Sequence, residues 1–260
     1  MLRVSHPRWK AHDVRPHFKP AREHYAPADQ PMFEAAYAEL CRIDLNGKNV
    51  LEVCCGAGML AVCLARVFPD ARITALDRYA DAGGEITAVQ PELPNLKYVV
   101  GDALNLPQYA DGSFDLIYGQ ATLHHLAHDC TRVALEYSRL LKPGGRLIFI
   151  YEPLGHNLLV DVIRAARIAR RELGDESNLY LSMLEGITRA FSHCAGCEVQ
   201  VFNLLSYAVK GVQNQAILAA AHNLDAWILE RHPKLLRYCA NCNIVFTKAA
   251  RQNSPAEPAG

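Results

Sequence analysis

Three acidic residues occur at regular intervals in the first half of the chain, each at or near the end of a short apolar run. Glu52 lies in "NVLEV", Asp77 ends "RITALD" and Asp102 ends "LKYVVGD". A glycine-containing stretch, "CCGAG", follows the first run. If the three runs are neighbouring strands, their carboxylates meet at one edge of a sheet. There they can pair with an amine and accept hydrogen bonds from hydroxyl or amino groups.

The runs that carry these acids belong to a longer alternation of strand-like and helix-like segments. Helical stretches separate most of the first five runs, which predicts an α/β fold with a doubly wound, mostly parallel, Rossmann-like sheet. In such a sheet, ligands bind at the carboxyl ends of the strands, where the strand order reverses. Seven strand-like runs are predicted, at residues 50–53, 72–77, 96–102, 114–119, 146–151, 198–205 and 243–248.

Composition divides the chain into one domain and two flanking segments. We expect a single domain over residues 28–249, with a helix that opens at the capping residue Asp29. Its helical insertions, at about 154–196 and 206–238, are long enough to cover a substrate. The flanks are predicted to be a partly disordered arm (1–27) and a disordered tail (250–260).

The overall charge and the cysteine content limit which binding partners and which cellular location we expect for the protein. The 260 residues contain 27 basic and 27 acidic side chains, so no global field favours nucleic acid or an anionic membrane. No secretory signal and no apolar run of about 20 residues is present, so no membrane span is predicted. Nine cysteines without an export signal favour a cytoplasmic protein with reduced thiols. The oligomeric state stays open.

The glycine stretch fits two kinds of nucleotide cofactor. Residues 56–61, "GAGMLA", match the G-x-G-x-x-A fingerprint of dinucleotide binding, and Asp77 follows at the distance that suits a ribose. Glu52 disfavours that interpretation, because a carboxylate repels a pyrophosphate. A ligand that carries an ammonium group, a ribose diol and an adenine amino group would use all three acids. A glycine turn that binds nothing is the third alternative.

Five segments in order resemble the class I S-adenosylmethionine-dependent methyltransferases: "VLEVCCGAG", "ALD", "GDALNLP", "FDLIYGQATLHHL" and "LLKPGGRLIF". The resemblance covers residues 49–153 and extends more loosely to 248. It is greatest to the small-molecule branch that contains quinone-biosynthesis methyltransferases. It implies the methyltransferase version of the fold, S-adenosyl-L-methionine as cofactor, and methyl transfer to a small-molecule acceptor. An NAD-dependent oxidoreductase and a non-catalytic binding module are the alternatives.

The resemblance also implies a role for each residue that matches a family motif. Glu52 and the glycine loop hold the methionine end of the cofactor, and Asp77 holds both ribose hydroxyls. Asp102 and Ala103 face the adenine. Cys54 stands where the family usually has a third glycine, which places a side chain in the loop. The predicted cofactor-binding set is Glu52, Cys54, Gly56, Gly58, Asp77, Arg78, Asp102, Ala103 and Gln120.

Two histidines are candidates for a general base. His124 follows the fourth predicted strand and His156 follows the fifth. Methyl transfer is an in-line displacement that depends mainly on positioning, so a base is needed only for a poorly ionised acceptor. Imidazole is suitable because its pKa is near neutrality. Packing or helix capping is the alternative for both, because the sequence identifies no charged partner.

Cys194–Cys197 and Cys239–Cys242 have the paired spacing of a zinc site. In the predicted topology the sixth strand is parallel to the fifth, and the seventh runs antiparallel between them. The two pairs then lie at opposite ends of the sheet, about 20 Å apart, whereas one zinc needs all sulfurs at about 2.3 Å. No metal site is therefore predicted.

The two insertions each contain an amphipathic helix. In the first, Arg164, Arg167 and Arg171 share one face, which either grips an anionic substrate or is a solvated surface. In the second, a stripe runs from Ile217 to Ile228 and includes Leu224, with Trp227 adjacent. We expect this stripe to pack on the sheet or to roof an apolar pocket.

Overall fold

A computed structural model describes residues 2–5, 36–37, 39–169, 178–209, 212 and 214–250. The predictions for Asp29, Arg171, the C-terminal tail and most of the N-terminal arm lie outside these residues. The side chains of Arg164 and Arg167 are also outside the description.

The described strands form one eight-stranded sheet. All seven predicted strands are present, and the α/β fold class is confirmed. The additional strand, β1, lies within the predicted arm and pairs in parallel with β7. Four residues are too few for a period-two pattern to be recognised in the sequence. The strands are β1 (Leu2–Ser5), β2 (Asn49–Val53), β3 (Arg72–Asp77), β4 (Leu96–Val100), β5 (Phe114–Gln120), β6 (Leu141–Pro153), β7 (Cys194–Phe202) and β8 (Asn241–Lys248).

The strand order is β1-β7-β8-β6-β5-β2-β3-β4. Only β8 runs antiparallel to its neighbours, as predicted for the last strand. From β2 the chain moves outward to β3 and β4, then returns to place β5 on the other side of β2. The strand order therefore reverses between β2 and β5. The parallel strands all end on the same side of the sheet, called here the carboxyl edge.

Helices cover both faces of the sheet because side chains alternate along each strand. Leu51 of β2 packs in the cluster that includes α4 and α6, whereas Val50 packs in the cluster that includes α1. The named helices are α1 (Met59–Val67), α2 (Gly84–Val89), α3 (Leu123–Leu126), α4 (Cys130–Leu140), α5 (Leu158–Ala169), α6 (Leu181–Ala190) and α7 (Gln215–Arg231). Among the residues described, no helix combines the length and the apolar character needed to cross a lipid bilayer.

The connection from β4 to β5 contains no helix. The third predicted strand ends at Val100 rather than at residue 102, so Asp102 lies in the turn beyond it. Two side chains of α4 pin this connection. Glu136 accepts the Leu106 N–H at 2.8 Å, and Arg139 donates to the Tyr109 carbonyl at 2.7 Å. These bonds satisfy backbone groups that have no partner in a strand or helix.

The insertion after β7 begins and ends at the carboxyl edge, because β8 runs antiparallel to β7. Asp225 of α7 is buried and ties the helix to this edge. Its carboxylate accepts the N–H groups of Leu204, Leu205 and Ser206 at 2.8, 2.8 and 3.2 Å, and the Ser206 hydroxyl at 2.6 Å. A buried carboxylate needs several donors to offset its lost hydration, and these four supply them.

The expected burial of the α7 stripe is wrong for Ile217, Leu224 and the adjacent Trp227, whereas Ile228 is half-buried and packs against the core. Ile217, Leu224 and Trp227 are 47%, 48% and 52% exposed. The helix instead turns Asp225 and Leu229 inward, and both are buried. Asp225 lies at the centre of the buried face, so the spacing of apolar residues in the sequence predicts the wrong orientation for this helix.

The cysteine pairs lie in and beside the last two strands. Cys194 and Cys197 lie within β7, so the prediction that Cys197 precedes the strand is wrong. Cys242 of β8 is opposite Val201, which places Cys197 four strand positions away, roughly 13 Å. Cys197, Cys239 and Cys242 are buried in the apolar core. Within the described ranges, no cluster of three or more metal-ligand side chains occurs.

Candidate active site

The loop between β2 and α1 contains three residues in the left-handed region. The φ angles are 53° at Cys54, 53° at Gly56 and 79° at Gly58. A β-carbon at Gly56 would have no atom within 4 Å, whereas one at Gly58 would collide with Ile86 of α2. Gly58 therefore permits close packing of α2, and Gly56 leaves open space above the loop. That space is a cradle for a ligand that approaches the backbone.

Glu52 lies beneath this loop in a buried position, 3% exposed. Among the described residues, its Oε2 atom and the Tyr118 hydroxyl have no hydrogen-bond partner. Burial raises the pKa of Glu52 to about 8, with the nearby Asp77 charge acting in the same direction. The Tyr118 hydroxyl and the Ala61 N–H lie near the carboxyl group and oppose this rise in pKa, but neither forms a hydrogen bond of normal geometry with Oε2. An ammonium group beside Oε2 would supply the missing donor and favour the ionised carboxylate.

Asp77, at the end of β3, organises the glycine loop. Its Oδ2 atom accepts the Gly56 N–H at 2.9 Å, and its Oδ1 atom accepts the Tyr79 N–H at 3.2 Å. The loop is also tied to β3 by the Cys55 N–H, which donates to the Leu76 carbonyl at 3.0 Å. A carboxylate has about four acceptor positions, so both oxygens of Asp77 retain capacity for a diol.

Asp102 and Ala103 follow β4 at the same edge. Asp102 is exposed and its Oδ1 atom accepts the Leu104 N–H at 2.9 Å, whereas Ala103 is buried. The backbone bond fixes the direction of the Asp102 side chain. The Oδ2 atom of Asp102 takes no part in that hydrogen bond.

The acids of the carboxyl edge converge on Cys54. Burial is the main cause that raises the pKa of the Cys54 thiol to about 12. The further contributions come from the charges of Asp77, Glu152, Asp102 and Glu52, in that order. Four carboxyl groups from four strand ends therefore lie close enough to one thiol to act on it. Such a site disfavours an anion and favours a cation.

Two other predicted contacts lie at the same edge. Arg78 is exposed directly after Asp77, and Gln120 is half-buried at the last position of β5. Their contacts with a cofactor stay predictions.

Glu152 is the functional residue that sequence reasoning left without a role of its own. It is fully buried at the end of β6 and accepts the N–H groups of Thr122, Leu123 and His124 at 2.6, 2.8 and 3.2 Å. It also bonds the His124 Nδ1 atom at 2.8 Å. Glu152 thus caps α3 and fixes the imidazole. The feature that could have indicated this contact is the pairing of β5 with β6, which brings the carboxyl ends of both strands together.

His156 has a different environment. Its Nε2 atom accepts the Leu181 N–H at 3.4 Å, and its ring meets the Tyr180 ring edge-on at 5.3 Å. Burial and the Arg237 charge lower the pKa of His156. The nitrogen that would take a proton is already an acceptor for the backbone, so the structure favours the packing alternative for this residue.

Backbone strain is concentrated at the carboxyl edge. Four residues other than glycine have positive φ angles beside the ends of β2, β5, β6 and β7: Cys54, Ala121, Tyr151 and Asn203. Each such conformation costs on the order of 1 kcal/mol and persists only where the surrounding structure enforces it. Strain of this kind is typical of functional sites.

Comparison with known proteins identifies this part of the chain. Residues 51–149 match the family model described as a methyltransferase domain. This segment of the chain is therefore similar to a methyltransferase domain. The family resemblance predicted from the sequence is confirmed, and the matched segment contains the glycine loop, the three acids and α3.

Curated relatives match the same region of the methyltransferase domain. Phthiotriol/phenolphthiotriol dimycocerosates methyltransferase 1 of Mycobacterium ulcerans is 40% identical over 107 residues, which is 41% of this chain and 38% of the relative. Fatty-acid O-methyltransferase of Mycolicibacterium smegmatis is 34% identical over 113 residues, 44% of this chain and 40% of the relative. The chain thus spans about two fifths of the length of these relatives.

A solved structure supports the fold over a longer range. Phosphoethanolamine N-methyltransferase 2 of Haemonchus contortus, in complex with phosphomonomethylethanolamine and S-adenosylhomocysteine, aligns with a TM-score of 0.60 at 19% identity. The alignment covers 92% of this chain and 60% of that one. At this identity the likeness shows the shared fold.

The raised pKa of Glu52 generates a stability prediction. The folded-state pKa of about 8 exceeds the ordinary value of 4.5 for a glutamate carboxyl group, so folding favours the protonated form. The stability contributed by this group is complete below about pH 4.5 and is lost as pH rises through 8. In denaturant unfolding, we expect the Glu52→Gln variant to gain on the order of 3 kcal/mol relative to wild type between pH 5 and pH 8. Glu92→Gln, at an exposed site, is the control, and parallel pH profiles for wild type and Glu52→Gln would contradict the prediction.

The left-handed backbone at Cys54 generates a second prediction. We expect Cys54→Gly to unfold within about 1 kcal/mol of wild type, because relief of strain offsets the lost side-chain packing. Cys54→Val should be destabilised by about 2 kcal/mol or more, because a β-branched residue strongly disfavours positive φ. The same change at Cys63, within α1, is the control for added volume at right-handed φ. Equal losses for Cys54→Val and Cys63→Val would show that backbone conformation is not the cause.

Proposed function

We propose that the chain is an S-adenosylmethionine-dependent methyltransferase that acts on a small-molecule acceptor. The observation that carries the proposal is the buried carboxyl group of Glu52, with an oxygen that lacks a partner, directly beneath an open glycine loop. The methyltransferase domain match supports it independently.

The residues at the carboxyl edge fit this cofactor. Glu52 would pair with the ammonium group of the methionine end, and Gly56 would let the backbone approach it. Asp77 would accept the ribose hydroxyls through the capacity that its two backbone bonds leave. Asp102 and Ala103 would face the adenine. When bound, S-adenosylmethionine supplies an electrophilic methyl group on a sulfonium.

The contribution of the protein to the reaction is mainly geometric. Asp77 and Glu152 fix the two turns that flank the β2–β5 switch point through backbone hydrogen bonds. Fixed turns keep donor and acceptor aligned, and such preorganisation can supply several kcal/mol of barrier reduction. The concentration of carboxylates also favours a cationic donor over an anionic one.

A dinucleotide fits this site poorly. In the dinucleotide alternative, a pyrophosphate would lie at the glycine loop, close to Glu52 and Cys54. Four carboxylates act on that position, and the Gly56 N–H that would bind phosphate already donates to Asp77. These observations disfavour the NAD-dependent oxidoreductase.

We propose an acceptor with a long apolar portion. The two curated relatives are named for phthiotriol/phenolphthiotriol dimycocerosates and for fatty acids. In this chain, the insertions beside the carboxyl edge expose large apolar side chains, among them Leu158, Val162 and Tyr180. Such residues are suited to contact an acyl or alkyl chain.

For an acceptor that must lose a proton, we propose His124 rather than His156 as the base. When Nδ1 carries the hydrogen and donates to Glu152, Nε2 carries the lone pair that a base needs. The carboxylate also stabilises the imidazolium that forms after proton transfer. His156 uses its Nε2 atom to accept a backbone N–H instead.

Ligand-induced stabilisation tests the cofactor assignment. We expect S-adenosylhomocysteine to raise the thermal unfolding temperature of the protein and NAD to leave it unchanged, because only the former supplies an ammonium group to Glu52. Asp77→Asn should weaken the binding of S-adenosylhomocysteine by about tenfold, measured by titration calorimetry. Stabilisation by NAD alone would contradict the proposal, and no response to either ligand would favour a non-catalytic module.

Variants of the two histidines test the base. With labelled S-adenosylmethionine and a long-chain secondary alcohol as acceptor, we expect His124→Gln to lower kcat by about 100-fold or more. His156→Gln should remain within about threefold of wild type. Both variants are first checked for an unchanged response to S-adenosylhomocysteine. Equal losses in the two variants would rule out a special role for His124.

A further inference from the structure

Helix α7 has an apolar outer face. Ile217, Ala220, Leu224 and Trp227 recur at intervals of three and four residues, and all four are exposed. Residues at these intervals lie on one side of a helix. The helix is 17 residues long, about 25 Å, and is anchored from its other side by Asp225. A packed helix normally presents polar residues to solvent, so an exposed apolar face of this kind indicates an interaction surface.

The segment that carries this face begins and ends at the same edge of the sheet as the proposed active site. The segment that contains α7 leaves the sheet at Phe202 and rejoins it at Asn241, and both residues are at the carboxyl edge. The Asn157 side-chain amide donates to the Tyr238 carbonyl at 2.8 Å, which joins this segment to the insertion after β6. Next to Asn157, Leu158 is 80% exposed, and Tyr238 is 42% exposed. Apolar side chains from both insertions therefore border the same edge as the glycine loop.

Basic residues accompany the apolar ones. The Arg231 guanidinium lies 4.4 Å from the centre of the Trp227 ring, and Arg237 lies 5.5 Å from that of Tyr238. Residues 203–240 contain four Lys or Arg and two Asp or Glu. One of those acids is Asp225, which is buried and bonded to four donors. Among the described residues of this segment, Arg231, Lys234 and Arg237 are exposed against one exposed acid, Glu230, so the exposed charge is positive, although the whole chain has no net charge.

We infer that α7 docks the protein on an anionic lipid bilayer. Leu224 and Trp227 would enter the boundary between headgroups and acyl chains, while Arg231 and Arg237 would meet lipid phosphates. Aromatic residues paired with long basic side chains are typical of this boundary. Docking in this way brings the carboxyl edge to the membrane surface, where an acceptor with an apolar chain can reach it. The biological purpose rests on the proposed function, but the docking itself does not.

A second copy of the chain fits the surface less well. A stable protein interface buries about 800 Å² on each partner, around a core depleted in charge. The outer face of α7 offers only three large apolar side chains, and Arg231 lies on the ring of the largest. A bilayer can bind a narrow apolar stripe with basic neighbours, because the apolar side chains insert among the acyl chains while the basic groups stay at the level of the headgroups.

Vesicle co-sedimentation of the full chain tests the inference. The probes are vesicles of phosphatidylcholine alone and of phosphatidylcholine with about one third phosphatidylglycerol. We expect wild type to bind the anionic vesicles, with weaker binding to the neutral ones and at high salt. The double variant Leu224→Ser/Trp227→Ser should lose at least tenfold in partition coefficient. Leu135→Ser on α4, which removes an apolar side chain that is 56% exposed elsewhere, should bind as wild type.

The fluorescence of Trp227 gives a second measurement. The only other tryptophan is Trp9, so a Trp9→Phe protein reports on α7 alone. Its emission should shift to shorter wavelength when anionic vesicles are added, because the indole leaves water. Leu224→Ser/Trp227→Ser must keep the wild-type unfolding temperature, which shows that the loss of binding is not a loss of folding.

Two results would overturn the inference: no wild-type binding to anionic vesicles, or equal binding by the double variant. A concentration-dependent dimer in light scattering that the double variant abolishes, without vesicle binding, would assign the surface to a second copy. The response to S-adenosylhomocysteine is measured in the same samples. That response without vesicle binding contradicts the docking alone, whereas vesicle binding without that response contradicts the proposed function alone.

Discussion

At the carboxyl edge of the sheet, the backbone N–H groups of successive turns need acceptors once water is excluded. Buried carboxylates supply them. Asp77 binds the turn after β2, Glu152 the turn after β5, and Asp225 the turn after β7. Each acid is brought to its turn by a different element, so each bond also joins two parts of the chain. These bonds hold the strand ends and insertions in the arrangement that the site requires.

Glu52 differs from these three acids, and this difference is the reason for its proposed role as the partner of the ammonium group. Asp77, Glu152 and Asp225 each accept backbone N–H groups, whereas Glu52 keeps an oxygen without a partner and has a pKa raised to about 8. A buried group of this kind lowers stability at neutral and alkaline pH. A cationic ligand restores the favourable state of the carboxylate. In the proposed function, the stability that Glu52 costs the free protein is recovered when an ammonium group binds.

The two insertions lie outside the part of the chain that matches the methyltransferase domain. The methyltransferase domain match stops at residue 149, before both insertions. Beyond it, Asp225 fixes α7 at the carboxyl edge with its apolar face outward, and Asn157 links the insertions to each other. The apolar and basic character of this surface agrees with the lipid compounds for which the curated relatives are named. The proposed acceptor class and the proposed membrane docking both rest on this surface.

Local pattern was sufficient for the sheet and for the acids at its edge. Apolar runs separated by helical stretches place seven of the eight described strands, and the acids at or just beyond their ends follow because parallel strands share one edge. Local sequence patterns do not reveal which residues far apart in the chain come into contact. Glu152 and His124 are 28 positions apart, and Asp225 caps a turn 21 residues before it. The left-handed φ of Cys54 and the outward stripe of α7 were likewise decided only by tertiary structure. Both depend on which neighbours enforce a strained backbone or bury one helix face, and those neighbours come from elsewhere in the sequence.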